Sequence, residues 1–154
     1  EQISQINVYT SPRNISDVLK KVNLNSEISH YNTLLLNNIL SLEFSNGIEY
    51  QLFIHLQSEA LDVFLFKKKQ FKFNNRFLIS NEDEFLYYLF FIVEQFDMET
   101  EGLEIVFLGK IQRYESYYKA LNQYHNHIKF VDGDNNQIEN LSTHPAPYLA
   151  NNFR

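Results

Sequence analysis

The sequence predicts an α/β domain built on a mixed five-stranded sheet, and three observations lead there. From Glu49 onward apolar residues recur at every second position in three runs joined by very short links. Such runs must be antiparallel neighbours, because a parallel return needs a crossover of a dozen or more residues. Beyond Ser80, segments of helical period alternate with short apolar runs, giving the order β-β-β-α-β-α-β. The composition agrees with one foldable unit: 154 residues are 44% hydrophobic, with 14 Phe and 10 Tyr against only 4 Gly and 3 Pro. That balance excludes a collagen, a disordered tail and a disulfide scaffold. The 18 Asn mark caps, turns and solvated loops.

Taken in order, Ile3, Ile6 and Val8 form a short β-like run ending at Thr10-Ser11-Pro12. Asn14 then stands at an N-cap position, and Ile15, Val18, Leu19 and Val22 share one helical stripe closed by Lys20 and Lys21. Thr33 to Phe44 reads as a largely buried helix stopped by Asn46-Gly47. In the first strand of the main sheet Tyr50, Leu52, Ile54 and Leu56 face one way, and Gln51, Phe53, His55 and Gln57 the other. Gln57-Ser58-Glu59 links it to a strand over Ala60 to Phe66, and Lys67-Lys68-Lys69 turns the chain into a run through Phe71, Phe73, Phe77 and Ile79. Ser80-Asn81-Glu82-Asp83-Glu84 supplies a cap and an acidic first turn, and Phe85, Leu86, Leu89, Phe90, Val93 and Phe96 continue at helical spacing. Leu103 to Leu108 has the nearly continuous apolar pattern of a strand covered on both faces. A helix holding Tyr117, Tyr118, Leu121 and Tyr124 and a strand over His127 to Val131 follow. The tail after Asp132 is loop-like.

Right-handed crossovers place the last two strands parallel to the first and put helices on the faces of the sheet. This is the layout of a ribonuclease H-like lobe, the unit duplicated in actin-like proteins, and topology alone carries no function. A more specific resemblance lies in Phe53-Ile54-His55-Leu56, Asp62-Val63-Phe64-Leu65, the helix from Glu84 to Phe96, the Leu108-Gly109 turn, and the closing Pro147-Tyr148 and Asn152-Phe153. These stretches resemble a Bacteroidetes family catalogued as domain of unknown function 3822, over roughly Ile6 to the end. The resemblance implies an actin-like, two-lobed architecture, so residues 1–48 are expected to be the remnant of a preceding lobe plus a connecting helix. Residues 49–154 are expected to form the ribonuclease H-like lobe with an irregular tail. The chain opens at Glu1 without Met and without a basic region plus apolar stretch, which points to a trimmed fragment with no signal peptide.

The chemical readings narrow by exclusion. An actin-like ATP site, which the resemblance raises, needs Gly and small hydroxyl donors at the turn between the first two strands, beside an Asp. Gln57-Ser58-Glu59-Ala60 has no Gly, and Glu59 brings negative charge toward the phosphates. Ser58 and the lone Gly109 are the residues such a site would use. A nuclease needs carboxylates converging on metal, yet Tyr50 to Gln57 has none, and Asp62 and Glu104 read as edge or solvent-facing residues. His125 and His127 have metal-compatible spacing without a third ligand, and His55 reads as a packed histidine. Asp132-Gly133-Asp134-Asn135-Asn136 begins like a calcium loop but places Gln137 and Thr143 where Gly and Glu belong. No Walker loop, GxSxG, GxGxxG or HExxH occurs, and no catalytic residue, metal site or cofactor is assigned.

Charge leaves one feature for recognition. The net charge of −6 disfavours a nucleic-acid reader, and no apolar run approaches the roughly 20 residues of a membrane span. The absence of Cys removes disulfides and thiol chemistry and leaves the redox compartment open. Lys67, Lys68, Lys69, Lys72 and Arg76 form a basic hairpin and strand, while Glu82 to Glu104 holds eight acids and no base. The bland reading is a solvated surface whose lysines discourage edge pairing. The functional reading is an interaction surface for a protein partner or a second copy. The sequence therefore predicts a non-catalytic, actin-like structural or protein-interaction module of the bacterial cytoplasm. The alternatives are a divergent ATP-binding lobe completed by a missing first lobe, and nucleic-acid binding through the basic strand.

Overall fold

The computed structural model describes residues 30–109 and 114–131, with positions 8, 10, 17, 18 and 21 before them. The expected first strand, most of the first helix and the whole tail after Val131 lie outside the described residues. The chain divides into two units, Glu1–Leu42 and Glu43–Arg154. Within the first, helix α1 spans Tyr31–Leu40, buries Leu35 and Ile39, and is capped by the His30 ring, whose Nδ1 accepts from the Asn32 amide at 3.1 Å. The helix stops short of the expected Phe44 because Ser41 turns back, its hydroxyl donating to the Asn38 carbonyl at 2.7 Å.

The second unit is the sheet with its helices. Its elements are β1 (Tyr50–Leu56), β2 (Ala60–Lys67), β3 (Gln70–Leu78), α2 (Glu82–Gln95), a 3-10 turn (Thr100–Gly102), β4 (Leu103–Leu108), α3 (Glu115–Leu121) and β5 (Ile128–Val131). The strand order is β3-β2-β1-β4-β5. Strands β1, β2 and β3 pair antiparallel, whereas β4 joins β1 in parallel and β5 joins β4 in parallel. This is the mixed sheet the element order predicts, with β1 at its centre.

Apolar residues on one face of the sheet meet the helices. Leu52, Ile54, Leu56, Leu61, Val63 and Leu65 pack in one cluster with Phe85, Leu89 and Ile92 of α2 and Leu121 of α3. The expected start of α2 is made by reciprocal hydrogen bonds. Asn81 accepts from the Glu84 amide at 2.9 Å, while the Glu84 carboxylate accepts from the Ser80 amide and hydroxyl, each at 2.7 Å. The Asn81 arm satisfies a donor that a helix start leaves open, and the Glu84 arm ties down the residue before the cap.

The other face is also buried, which the alternation in β1 does not announce. Every residue of β1 and β4, and all of β2 except Lys67, is buried. Phe53 and Phe66 meet edge-on at 5.5 Å, and Phe44 packs edge-on against both at 5.6 and 5.1 Å. A register shift opposite Leu65 and Phe66 changes the expected β3 run. Phe73 packs toward Phe96 at 5.4 Å, whereas Phe71 meets Phe66 at 5.5 Å on the second face. A bulge of one residue reverses the alternation beyond it, so the two phenylalanines serve different cores.

At the β2–β3 turn Lys67 pairs with Gln70, and the two central residues, Lys68 and Lys69, have φ of 48° and 67°. This is the type I′ pattern, with positive φ at both positions, where Asn and Gly are at ease and a long side chain is strained. Replacing Lys68→Asn together with Lys69→Gly is therefore expected to stabilise the fold by about 1 kcal/mol, read as a raised urea midpoint with unchanged slope. An unchanged or lowered midpoint would show that the lysines relieve the strain elsewhere.

Candidate functional site

The second face of the central strands carries the polar residues, and they fall into two clusters. Antiparallel register sets His55 opposite Asp62 and Asp62 opposite Arg76. His55 Nδ1 lies 3.6 Å from Asp62 Oδ2, and Arg76 Nε lies 3.6 Å from Asp62 Oδ1. Gln57 binds both sides, donating to Asp62 Oδ2 at 3.0 Å and accepting from Arg76 Nη2 at 2.8 Å. Asp62 is 0% and His55 1% exposed. A buried carboxylate is tolerated only where charge and donors replace its water.

Glu104 of β4 anchors the second cluster and is 5% exposed. Its Oε2 accepts from Ser45 at 2.7 Å and from Gln51 at 2.8 Å, and its Oε1 meets Lys129 Nζ at 2.8 Å. Lys129 also donates to Ser45 Oγ at 2.6 Å. Burial by itself pushes the Glu104 carboxyl up, but the hydrogen bonds from Lys129, Ser45 and Gln51 together outweigh it and hold the group below its ordinary value. Asp62 and Glu104 are thus not the edge or solvent-facing residues their positions in the sequence suggest. Both are interior groups, Asp62 fixed by partners on the adjoining hairpin strands and Glu104 by partners distant along the chain.

The residues raised for a phosphate site lie at one end of the sheet. Ser58 follows β1 and Gly109 follows β4, and these strands are adjacent and parallel, so both residues stand at carboxyl ends of strands. In open α/β sheets that edge is where ligands bind. The Ser58 turn is closed by the Gln57 amide donating to Ala60 at 2.8 Å, and Ser58 and Glu59 are exposed. Gly109 has φ of 113°, a conformation that favours glycine, and its amide donates to Val131 at 2.8 Å. That amide is therefore already engaged.

The five cations raised as a surface separate into two places. Lys67, Lys68, Lys69 and Lys72 gather at the β2–β3 turn, whereas Arg76 sits near the far end of β3 with Gln57 and Asp62. Lys67 Nζ lies 3.3 Å from Glu49 and 4.7 Å from the centre of the Tyr50 ring. Contacts to Tyr50 first and then Glu49 raise its pKa. Lys69 reaches Asn46 at 3.5 Å and Lys72 reaches Gln70 at 3.1 Å.

Of the two histidines with metal-like spacing, His125 is buried and His127 exposed, their rings 6.0 Å apart. Burial, then the charge of His127, push the His125 pKa down. Among the described residues no group of three or more His, Asp or Glu side chains could hold a metal ion. The calcium-like loop at Asp132 lies outside the described residues. Among the described residues no helix is long and apolar enough to cross a membrane.

The Glu104 cluster sets an acid limit on stability. A carboxyl held below its ordinary value of 4.5 in the fold takes up a proton more readily when unfolded. Its contribution is whole above that value and is lost as pH falls through the lowered native value. The thermal midpoint of the wild type is expected to fall more steeply below pH 4.5 than that of Glu104→Gln, with the two curves converging in acid. Parallel curves would contradict the clamp.

Comparison with known proteins adds family and fold. The family model described as "Protein of unknown function (DUF3822)" matches residues 1–128. No curated protein matches the chain. A crystal structure from Bacteroides thetaiotaomicron VPI-5482, described as a protein with actin-like ATPase fold and unknown function, is similar over 75% of this chain. The TM-score is 0.66 at 16% sequence identity, and the matched region is 45% of that structure's chain. The sheet order and this similarity make the fold actin-like. With most of its length matched by the family model, the chain belongs to the DUF3822 family.

Proposed function

We propose that the chain is a non-catalytic, actin-like lobe serving as a structural or protein-interaction module of the bacterial cytoplasm. The observation that carries this reading is the state of Asp62 and Glu104. The sheet's two buried carboxylates are occupied by Arg76, Gln57 and His55 on one side and by Lys129, Ser45 and Gln51 on the other. Metal-dependent phosphoryl or nuclease chemistry needs anionic oxygens turned toward a ligand. Here those oxygens cross-link strands. Exposed Glu59 at the β1–β2 turn adds a charge that repels phosphate.

A second reading, an ATP-binding lobe completed by another lobe, is supported by the shared edge of Ser58 and Gly109. The matched region is less than half of the similar structure, which fits residues 1–48 being the end of a preceding lobe and its connecting helix. The third reading, nucleic-acid binding through Lys67 to Arg76, is weakened by the capture of Arg76 at Asp62.

Magnesium-ATP separates the first two readings. A ligand present at a hundred times its Kd stabilises a fold by about 2.7 kcal/mol, a shift of several degrees in Tm. Differential scanning fluorimetry of the longest natural form of the protein is expected to show no such shift with millimolar nucleotide. A saturable shift that Ser58→Glu abolishes would overturn the proposal in favour of the ATP-binding lobe.

A further inference from the structure

Helix α2 is apolar on two sides. Phe85, Leu89 and Ile92 form its buried stripe. Opposite them Tyr87 is 64%, Phe91 46% and Phe90 38% exposed. A helix that is hydrophobic all round is ordinarily covered all round. The outward rings are arranged by one another: Tyr87 and Phe91 stack at 6.4 Å, and Phe90 meets exposed Tyr124 edge-on at 5.5 Å. Helical spacing sets exposed Asp83 one turn before Tyr87 and exposed Glu94 one turn after Phe90. No base occurs between Glu82 and Gly109. The outer face of α2 is therefore an aromatic ridge with anionic ends, and aromatic faces beside carboxylates attract ammonium groups.

The same lobe presents the complementary surface. Lys68, Lys69 and Lys72 are exposed at the hairpin, the first two at backbone positions where Asn and Gly cost less. Retained strain of this kind is a reason to look for a use. Lys67 illustrates the contact in question, with its ammonium over the Tyr50 ring. Among the described residues, the polar partners of Lys69 and Lys72 are Asn46 and Gln70, and no ion pair joins the hairpin to Asp83 or Glu94.

We infer that the lysine hairpin of one copy docks on the aromatic ridge of α2 in a second copy. The inference rests on the reading of this chain as an interaction module. Charge complementarity selects a second copy as the occupant, since one chain carries both a cationic tip and an anionic aromatic face. The contact is heterologous: each copy uses its hairpin on one neighbour and its ridge on another, so assembly continues past a dimer. Opposite charges at its rim make it sensitive to salt.

Sedimentation equilibrium of three proteins tests this: the wild type, the hairpin variant Lys68→Asn/Lys69→Gly, and the ridge variant Tyr87→Ser/Phe91→Ser. The wild-type average mass is expected to rise with concentration at about 50 mM salt and to fall back toward the monomer at about 500 mM. Each variant alone should stay monomeric, the hairpin variant while gaining thermal stability. An equimolar mixture of the two should form a dimer and nothing larger, because it keeps one intact ridge and one intact hairpin. A wild type that stays monomeric at about 1 mM, where even a ~100 μM contact would be mostly formed, would overturn the inference. So would variants that still associate alone, or a mixture that does not pair. None of these results bears on the magnesium-ATP shift, so the two proposals fail separately.

Discussion

Burial of the central strands on both faces is the constraint on which the rest of the structure depends. An antiparallel hairpin can keep one face wet, but β1, paired with β2 on one edge and β4 on the other, is buried along its whole length and has no face left for water. On one side the requirement is met by aliphatic side chains against α2 and α3. On the other side it is met by aromatic rings in the middle and by charged clusters toward both ends. Those clusters are a consequence of the position: once Asp62 and Glu104 lie inside, each must be surrounded by donors or the fold is lost.

The same constraint supports the proposed non-catalytic reading. In a sheet of this topology the useful edge is the one at the carboxyl ends of β1 and β4, where Ser58 and Gly109 stand. Asp62, the buried carboxylate nearer that edge, is tied to the strands on either side of it, and the Gly109 amide is spent on β5. Among the described residues the lobe leaves outward an aromatic helix face and a strained cationic turn, the two features on which the proposed docking rests.

Much of this architecture is legible in the sequence because it is local. The unbroken apolar run of β4, the cap at Asn81 and the short links among β1, β2 and β3 each depend on neighbours in the chain. The features that escape are long-range or count residues. Nothing near Glu104 announces Ser45 or Gln51, which lie 59 and 53 positions away, so its burial cannot be read from periodicity. The bulge in β3 adds one residue without a Gly or Pro to mark it, and alternation alone then puts Phe71 on the wrong face. The cap of α1 is missed because a histidine does the work usually given to Ser, Thr, Asp or Asn. The site residues share this division: the edge holding Ser58 and Gly109 follows from element order, whereas the separation of Arg76 from the lysines requires its tertiary partners.

On the proposed reading the buried carboxylates hold the sheet and do not wait for a ligand. Urea denaturation of Asp62→Asn tests this most directly, since the substitution keeps the shape and removes the charge that Arg76 and Gln57 address. A clamp predicts a loss of about 2 kcal/mol, the scale of hydrogen bonds to a charged group. A carboxylate kept for function at the expense of stability predicts the reverse, and an Asp62→Asn protein as stable as the wild type or more so would contradict the account.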